Sequence, residues 1–241
     1  MTSAHSLQAK VALVTGASRG IGFAIAQAFA GQGCQVVITG RDAKTLNAAA
    51  TVLSKDNIEA LALPCDVTDS AQVEQLFAEI KKRFSRLDIL VNNAGVAQEL
   101  APVDQLSLET WKRLIDTNLS AMFFCTRAAL PLMSAGGTIV NNLSVAAVRS
   151  FPGMAAYNAS KAGALGFTNV LREELRKRGI RVLALIVGAT DTTIWDQFWP
   201  DAPKEKMVSP TTIGQAVLQA VTLPANTTIE EIRLGPIAGA L

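Results

Sequence analysis

Short apolar runs alternate with helical runs along almost the whole chain, and this alternation most restricts the fold. The apolar runs are "KVALV", "CQVVITG", "IEALALP", "LDILV", "GGTIVNN", "IRVLALIV" and "IEEIRL". Between them lie segments such as "SAQVEQLFAEIKKRF", where Val73, Leu76, Phe77 and Ile80 recur at helical spacing. A strand that is apolar throughout must be covered on both faces. Strands alternating with helices supply that cover as crossovers of a parallel sheet. The predicted fold class is therefore α/β, a doubly wound parallel sheet of about seven strands with helices on both faces. No linker, repeat or low-complexity tract divides the 241 residues, so one domain spanning 1–241 is expected, with residues 1–9 a flexible leader.

Composition removes several classes of function. The net charge of +2 gives no electrostatic reason for a nucleic-acid partner. The basic end of "LREELRKRGIR" alternates cations with Glu and reads as the solvated tail of a helix. The three cysteines, Cys34, Cys65 and Cys125, are far apart, and the single histidine, His5, sits in the leader. No metal site is expected from such a set, and a His-dependent triad is nearly excluded. Reduced thiols suit a cytoplasmic location. No run has the length of a signal-peptide core or a membrane span, so no membrane partner is expected.

"TGASRGIG", Thr15 to Gly22, lies where the first strand gives way to the first helix. Glycines there let the backbone approach a pyrophosphate, and a helix N-terminus favours its charge. A tight turn without a ligand has the same composition. The second strand ends "VVITGRD", with no carboxylate at its tip to hold ribose hydroxyls. Arg41 there, and Arg19 in the glycine turn, are suited to a 2′-phosphate, which favours NADP(H) over NAD(H). Both can also be ordinary surface arginines. Asp42 suits the N-cap of the next helix.

"YNASKAG" places Tyr157 and Lys161 one helical turn apart, on one face. Together with "TGASRGIG", "CDV", "NNAG", "DTNL" and "NNLSV", in that order, it makes the chain resemble the short-chain dehydrogenase/reductase family from about Lys10 to the last strand. The resemblance implies a Rossmann-type fold, a nicotinamide cofactor and hydride transfer at a carbonyl or carbinol carbon. It implies a catalytic set of Asn118, Ser144, Tyr157 and Lys161. It implies cofactor contacts from Gly16, Ser18, Arg19, Gly20, Ile21, Gly22, Arg41, Asp66, Val67, Asn93, Ala94, Gly95, Tyr157, Lys161, Gly188 and Thr192. Tyr157 becomes the general acid in reduction and the general base in oxidation. The Lys161 ammonium is expected to lower the phenol pKa, Ser144 to steady the carbonyl oxygen, and Asn118 to kink its helix and hold a water leading to Lys161. Each residue also has a plain reading: Asp66 as a turn residue, Asn92 and Asn93 as loop braces, Asn118 as a cap, Ser144 as a strand end.

The chain departs from the family pattern in two places. Val187 stands where a proline is common, which is expected to loosen the turn before Gly188 and Thr192. The ending "IEEIRLGPIAGAL" looks like a branch of NADP-dependent reductases of small hydroxy acids, aldehydes or diverse ketones. Residues 188–208 are expected to form a substrate lid, in which Trp195, Phe198 and Trp199 line an apolar pocket or pack the lid to the body or a neighbouring subunit. Arg149 can read a substrate carboxylate or stand as a solvated loop arginine. The helices in "LSAMFFCTRAALPLM" and "YNASKAGALGFTNVLREELRKRG" suggest a homodimer or homotetramer. The expected activity is that of an NADP-dependent short-chain carbonyl reductase or alcohol dehydrogenase with a small-molecule carbonyl or alcohol substrate. The alternatives are an NAD-dependent alcohol dehydrogenase and a catalytically silent NADP(H)-sensing regulator.

Overall fold

Among the described residues, seven strands follow the apolar runs: β1 (Val11–Thr15), β2 (Gln35–Gly40), β3 (Leu61–Pro64), β4 (Ile89–Asn92), β5 (Thr138–Asn142), β6 (Arg181–Val187) and β7 (Glu231–Leu234). The computed structural model describes residues 7–54, 60–197, 199–224 and 226–239. His5 and Phe198 lie outside the described residues. The strands form one parallel sheet in the order β3-β2-β1-β4-β5-β6-β7. The chain winds outward from β1 to β3, returns, and winds the other way from β4 to β7. The reversal lies between β1 and β4, where crevices open at the carboxyl ends of strands in such sheets.

Among the described residues, seven α-helices cover the sheet: α1 (Gly20–Ala30), α2 (Ala43–Leu53), α3 (Ser70–Phe84), α4 (Leu108–Ile115), α5 (Ala121–Ala129), α6 (Ala155–Arg176) and α7 (Pro210–Val221). Their apolar stripes build two cores. Ile25 and Phe29 of α1, Leu46 of α2 and Ile213 and Val217 of α7 pack on one face. Leu76 and Phe77 of α3, Cys125 of α5 and Leu171 of α6 pack on the other. The helix starts follow from local chemistry. Asp42 accepts from the Thr45 amide at 2.7 Å to cap α2, as its sequence position suggests. Asp69 caps α3, and Ser209 followed by Pro210 opens α7.

Residues 1–6 of the expected leader lie outside the described residues, while Leu7 is buried in the core and its carbonyl accepts from the Lys10 amide. The expectation for the turn before Gly188 changes. The turn after Val187 is tied down. Val187 is buried as the last residue of β6 and pairs with Leu234, and the Gly188 amide donates to the Leu234 carbonyl at 2.7 Å. Further on, Asp191 donates to the Val208 carbonyl and Val208 to the Ala189 carbonyl, each at 3.0 Å, so residues 189–208 close on themselves at their base. Strand pairing replaces the stiffness a proline would have given.

Candidate active site

A cavity of about 1100 Å³ opens at the carboxyl ends of the strands, around the β1/β4 switch point. Every residue expected in the site borders it except Gly22 and Asn118. Arg149, Trp195 and Trp199 border it as well.

The nucleotide-facing side starts at the end of β1. Gly16 and Gly20 adopt φ of +62° and +60°, in the left-handed region that side chains disfavour. A Cβ on Gly16 would lie 2.9 Å from Ala94 Cα. Gly22 sits behind the turn, where a Cβ would come within 2.4 Å of Asn93 Nδ2 and 2.7 Å of the Gly16 carbonyl oxygen. It acts by letting α1 approach the sheet rather than by facing the cavity. The start of α1 has no side-chain cap and no acidic residue in its first turn. Its first amides therefore keep their donor capacity and positive field for an anion. Arg19 and Arg41 are exposed at the cavity edge and form no ion pair among the described residues. Ser18 Oγ is 4.0 Å from where a Gly40 Cβ would stand, so Ser18 lies beside the end of β2. Asp66 meets both readings: it borders the cavity, and its Oδ1 accepts from the Thr68 amide and hydroxyl at 3.0 and 2.8 Å. This surface fits a dinucleotide phosphate, with glycine space, free helix amides and two unpaired guanidiniums in one place.

The other side is held by buried amides. Asn93 donates from Nδ2 to the Thr15 and Gly16 carbonyls at 2.8 and 3.1 Å and accepts from Asn142 Nδ2 at 2.8 Å. Thr15 Oγ1 accepts from the Asn93 and Ala94 amides at 2.9 and 3.0 Å. These bonds lock together the ends of β1, β4 and β5. Asn92 Nδ2 reaches Asn141 Oδ1 at 2.8 Å, and Asn141 Nδ2 reaches Thr168 Oγ1 of α6 at 2.9 Å. Lys161 Nζ donates to the Asn142 carbonyl at 3.1 Å and lies 5.8 Å from the centroid of the Tyr157 ring.

Here the electrostatics correct the expectation for Tyr157. The phenol borders the cavity, yet the protein packed around it pushes its pKa above the ordinary value, and a hydrogen bond with Ser144 opposes that rise. The nearby Lys161 ammonium does not outweigh that burial. Burial draws Lys161 itself down to about 8, because its ammonium has lost most of its water.

Asn118 also differs in its contacts. The expected kink is a π turn over Asp116–Ser120, between α4 and α5. Asn118 is buried beneath the cavity floor. Its Oδ1 accepts from the Val96 amide at 2.9 Å, and its Nδ2 donates to the Val96 carbonyl and Ser160 Oγ, both at 3.0 Å. Both Nδ2 hydrogens are engaged, so the side chain straps the 93–98 loop to α6. Gly95 lies between the two groups: a Cβ there would be 3.3 Å from Asn118 Oδ1 and 3.7 Å from Lys161 Nζ.

Two side chains were not singled out by their sequence. Gln98, 2 % exposed, accepts the Tyr157 amide on Oε1 at 2.9 Å and donates from Nε2 to the Gly153 carbonyl at 3.0 Å. Met154 gives α6 no side-chain cap, and Gln98 does that work from 59 residues away. Asn158 donates from Nδ2 to the Ala146 and Arg149 carbonyls at 2.8 and 2.6 Å and accepts from the Phe151 amide at 3.3 Å. It fastens the loop after Ser144 to the residue beside Tyr157. The neighbours of Gln98 carry no period or turn signal that marks it; the position of Asn158 beside Tyr157 was the one clue available.

Residues 10–203 match the model of the short chain dehydrogenase family. A 3-oxoacyl-[acyl-carrier-protein] reductase of Synechocystis sp. is 42% identical over 193 residues, which are 78% of each chain. An alcohol dehydrogenase from the archaeon Thermococcus sibiricus, complexed with 5-hydroxy-NADP, superposes with a TM-score of 0.87 at 30% identity, covering 95% of this chain and 97% of that one. A short chain dehydrogenase from Burkholderia cenocepacia in complex with NADP gives 0.85 at 33% identity, covering 95% and 97%.

Proposed function

The chain belongs to the short-chain dehydrogenase/reductase family, a family of oxidoreductases, and from that premise we propose that it is an NADP(H)-dependent carbonyl reductase or alcohol dehydrogenase. The observation that carries this reading is the single cavity joining the phosphate-fitting turn at Gly16–Gly20 to Ser144, Tyr157 and Lys161. When bound, the nicotinamide cofactor supplies or accepts the hydride at carbon. The remaining work falls to the protein. Ser144 hydrogen-bonds the substrate oxygen where negative charge develops during reduction. Tyr157, a phenol and therefore protonated at neutral pH, delivers its proton to that oxygen. Lys161, cationic below about pH 8, stands behind the phenol and makes the resulting phenolate less costly. A raised pKa makes the phenol a weaker acid, so proton delivery draws on the Lys161 charge behind it. Asn118, through Val96 and Ser160, keeps the floor of the site fixed.

The preference for NADP(H) is supported by Arg19 and Arg41 beside a β2 end that carries Gly40 in place of a carboxylate, and by the two NADP-type complexes among similar structures. Tyr157→Phe tests the chemistry. A loss of about 10³-fold in kcat is expected with NADPH binding retained; turnover within a few-fold of wild type would sink the mechanism.

A further inference from the structure

Among the described residues, five charged side chains border the cavity: Arg19, Arg41, Asp66, Arg149 and Lys161. Three belong to the nucleotide side, in the turn after β1 and at the ends of β2 and β3. Lys161 lies with Tyr157. Arg149 has none of these duties. It follows β5, and two strands, β1 and β4, separate β5 from β2. Three strand spacings of ~4.8 Å put the two strand ends roughly 14 Å apart, so the loop that carries Arg149 starts well away from the one that carries Arg41.

The loop that carries Arg149 is fastened to the catalytic side. Its carbonyl and that of Ala146 both accept from Asn158, the residue after Tyr157. The guanidinium lies over the Phe151 ring, 5.5 Å from its centroid, and forms no ion pair among the described residues. The neighbouring cavity wall is apolar, with Leu100, Val148, Phe151, Met154, Trp195 and Trp199. Trp195 is itself anchored, donating from Nε1 to the Thr190 carbonyl at 2.8 Å. A pocket with a proton donor on its floor, apolar walls and one unpaired, planar cation at its edge is complementary to a molecule with a carbonyl, an apolar spacer and a carboxylate.

We propose that Arg149 is the carboxylate-reading residue of the substrate pocket, and that the enzyme acts on oxo- or hydroxycarboxylates whose two polar ends are separated by an apolar spacer. This rests on the reading of the cavity as a carbonyl-reductase site. Arg149 would set specificity through binding and take no part in the proton or hydride step.

The test compares each of 4-oxopentanoate and 6-oxoheptanoate with its methyl ester, by calorimetric binding to the NADPH-loaded protein and by turnover. In the wild type, at least one acid is expected to bind 10-fold or more tighter than its ester. That ratio should shrink as salt is raised, fall to about one in Arg149→Gln and survive in part in Arg149→Lys. An acid-to-ester ratio near one in the wild type for both pairs overturns the proposal, as does a ratio that Arg149→Gln leaves intact. Turnover separates the two claims. Ketone reduction with no preference for the acid removes the role of Arg149 and leaves the reductase reading standing. Arg149-dependent binding without turnover of acid or ester supports the anion site and counts against the reductase reading.

Discussion

The two sides of the cavity are built by opposite means. The side at β1 and β2 is made of backbone: two glycines at positive φ, the uncapped start of α1, and arginines that reach in from the surface. The side at β5 and α6 is made of side chains: Asn93, Asn118, Asn142, Gln98 and Asn158 each join segments distant in sequence or hold a loop against a helix. A backbone surface admits no added atoms, so it is expected to fail by steric collision and to lose cofactor affinity. A side-chain lattice can lose one bond and keep its shape, so it is expected to fail in steps that show first in turnover.

The largest effect tests the charge that the second side buries. Below about pH 8 both the folded and the unfolded chain hold the Lys161 proton. Between about pH 8 and 10.5 the unfolded chain holds it and the folded chain does not, so this group makes stability rise with pH across that window. The rise amounts to about 3 kcal/mol. Lys161→Met should abolish it, and chemical denaturation at pH 7.5 and 10.5 would show the difference between variant and wild type closing by that amount. The buried thiols, whose pKa values burial raises, act in the opposite sense above pH 9 and cancel in the comparison. A constant difference would mean that Lys161 titrates as an ordinary lysine.

Gly22→Ala breaks the first side. Its Cβ meets Asn93 Nδ2 and the Gly16 carbonyl oxygen, and the overpacking should cost about 1–3 kcal/mol. NADPH affinity should fall more than kcat at saturating cofactor; the reverse pattern would contradict a backbone-built nucleotide side. Gln98→Met tests the second. It leaves the buried Tyr157 amide unpaired at a cost of about 1–3 kcal/mol. Here kcat should drop several-fold more than NADPH affinity, and Gln98→Glu, which restores an acceptor at the start of α6, should recover part of the loss. Equal losses in kcat and affinity, without rescue, would reduce Gln98 to a structural filler. The smallest effect is expected from Arg41→Asp. The ratio of NADPH to NADH affinity should fall by about 10-fold, or ~1.4 kcal/mol, and an unchanged ratio would remove Arg41 from cofactor choice.

The first side was far more legible than the second. The strand runs, the glycine turn and the Asp42 cap are local signals: apolar period, a turn residue, a carboxylate one step before a helix. Alternation implied parallel strands joined by handed crossovers, but the order β3-β2-β1-β4-β5-β6-β7 and the place of its reversal came from the structure. Gln98 and Asn158 escaped because a single amide in a loop resembles any other until its neighbours in space are known.

Local pattern thus determined the element types and their order along the chain, since helices, strands and turns each impose their own spacing on neighbouring residues, while most of the site residues were named only through the resemblance of the ordered motifs to a family. Only the tertiary structure decided the electrostatic state of the site and the partners of its amides. A pKa depends on how much water the packed chain removes, which is why Tyr157 moves up when its neighbour Lys161 suggested down. A hydrogen bond depends on distance in space, and those that set this site join Asn93 to Thr15 across 78 residues and Tyr157 to Gln98 across 59.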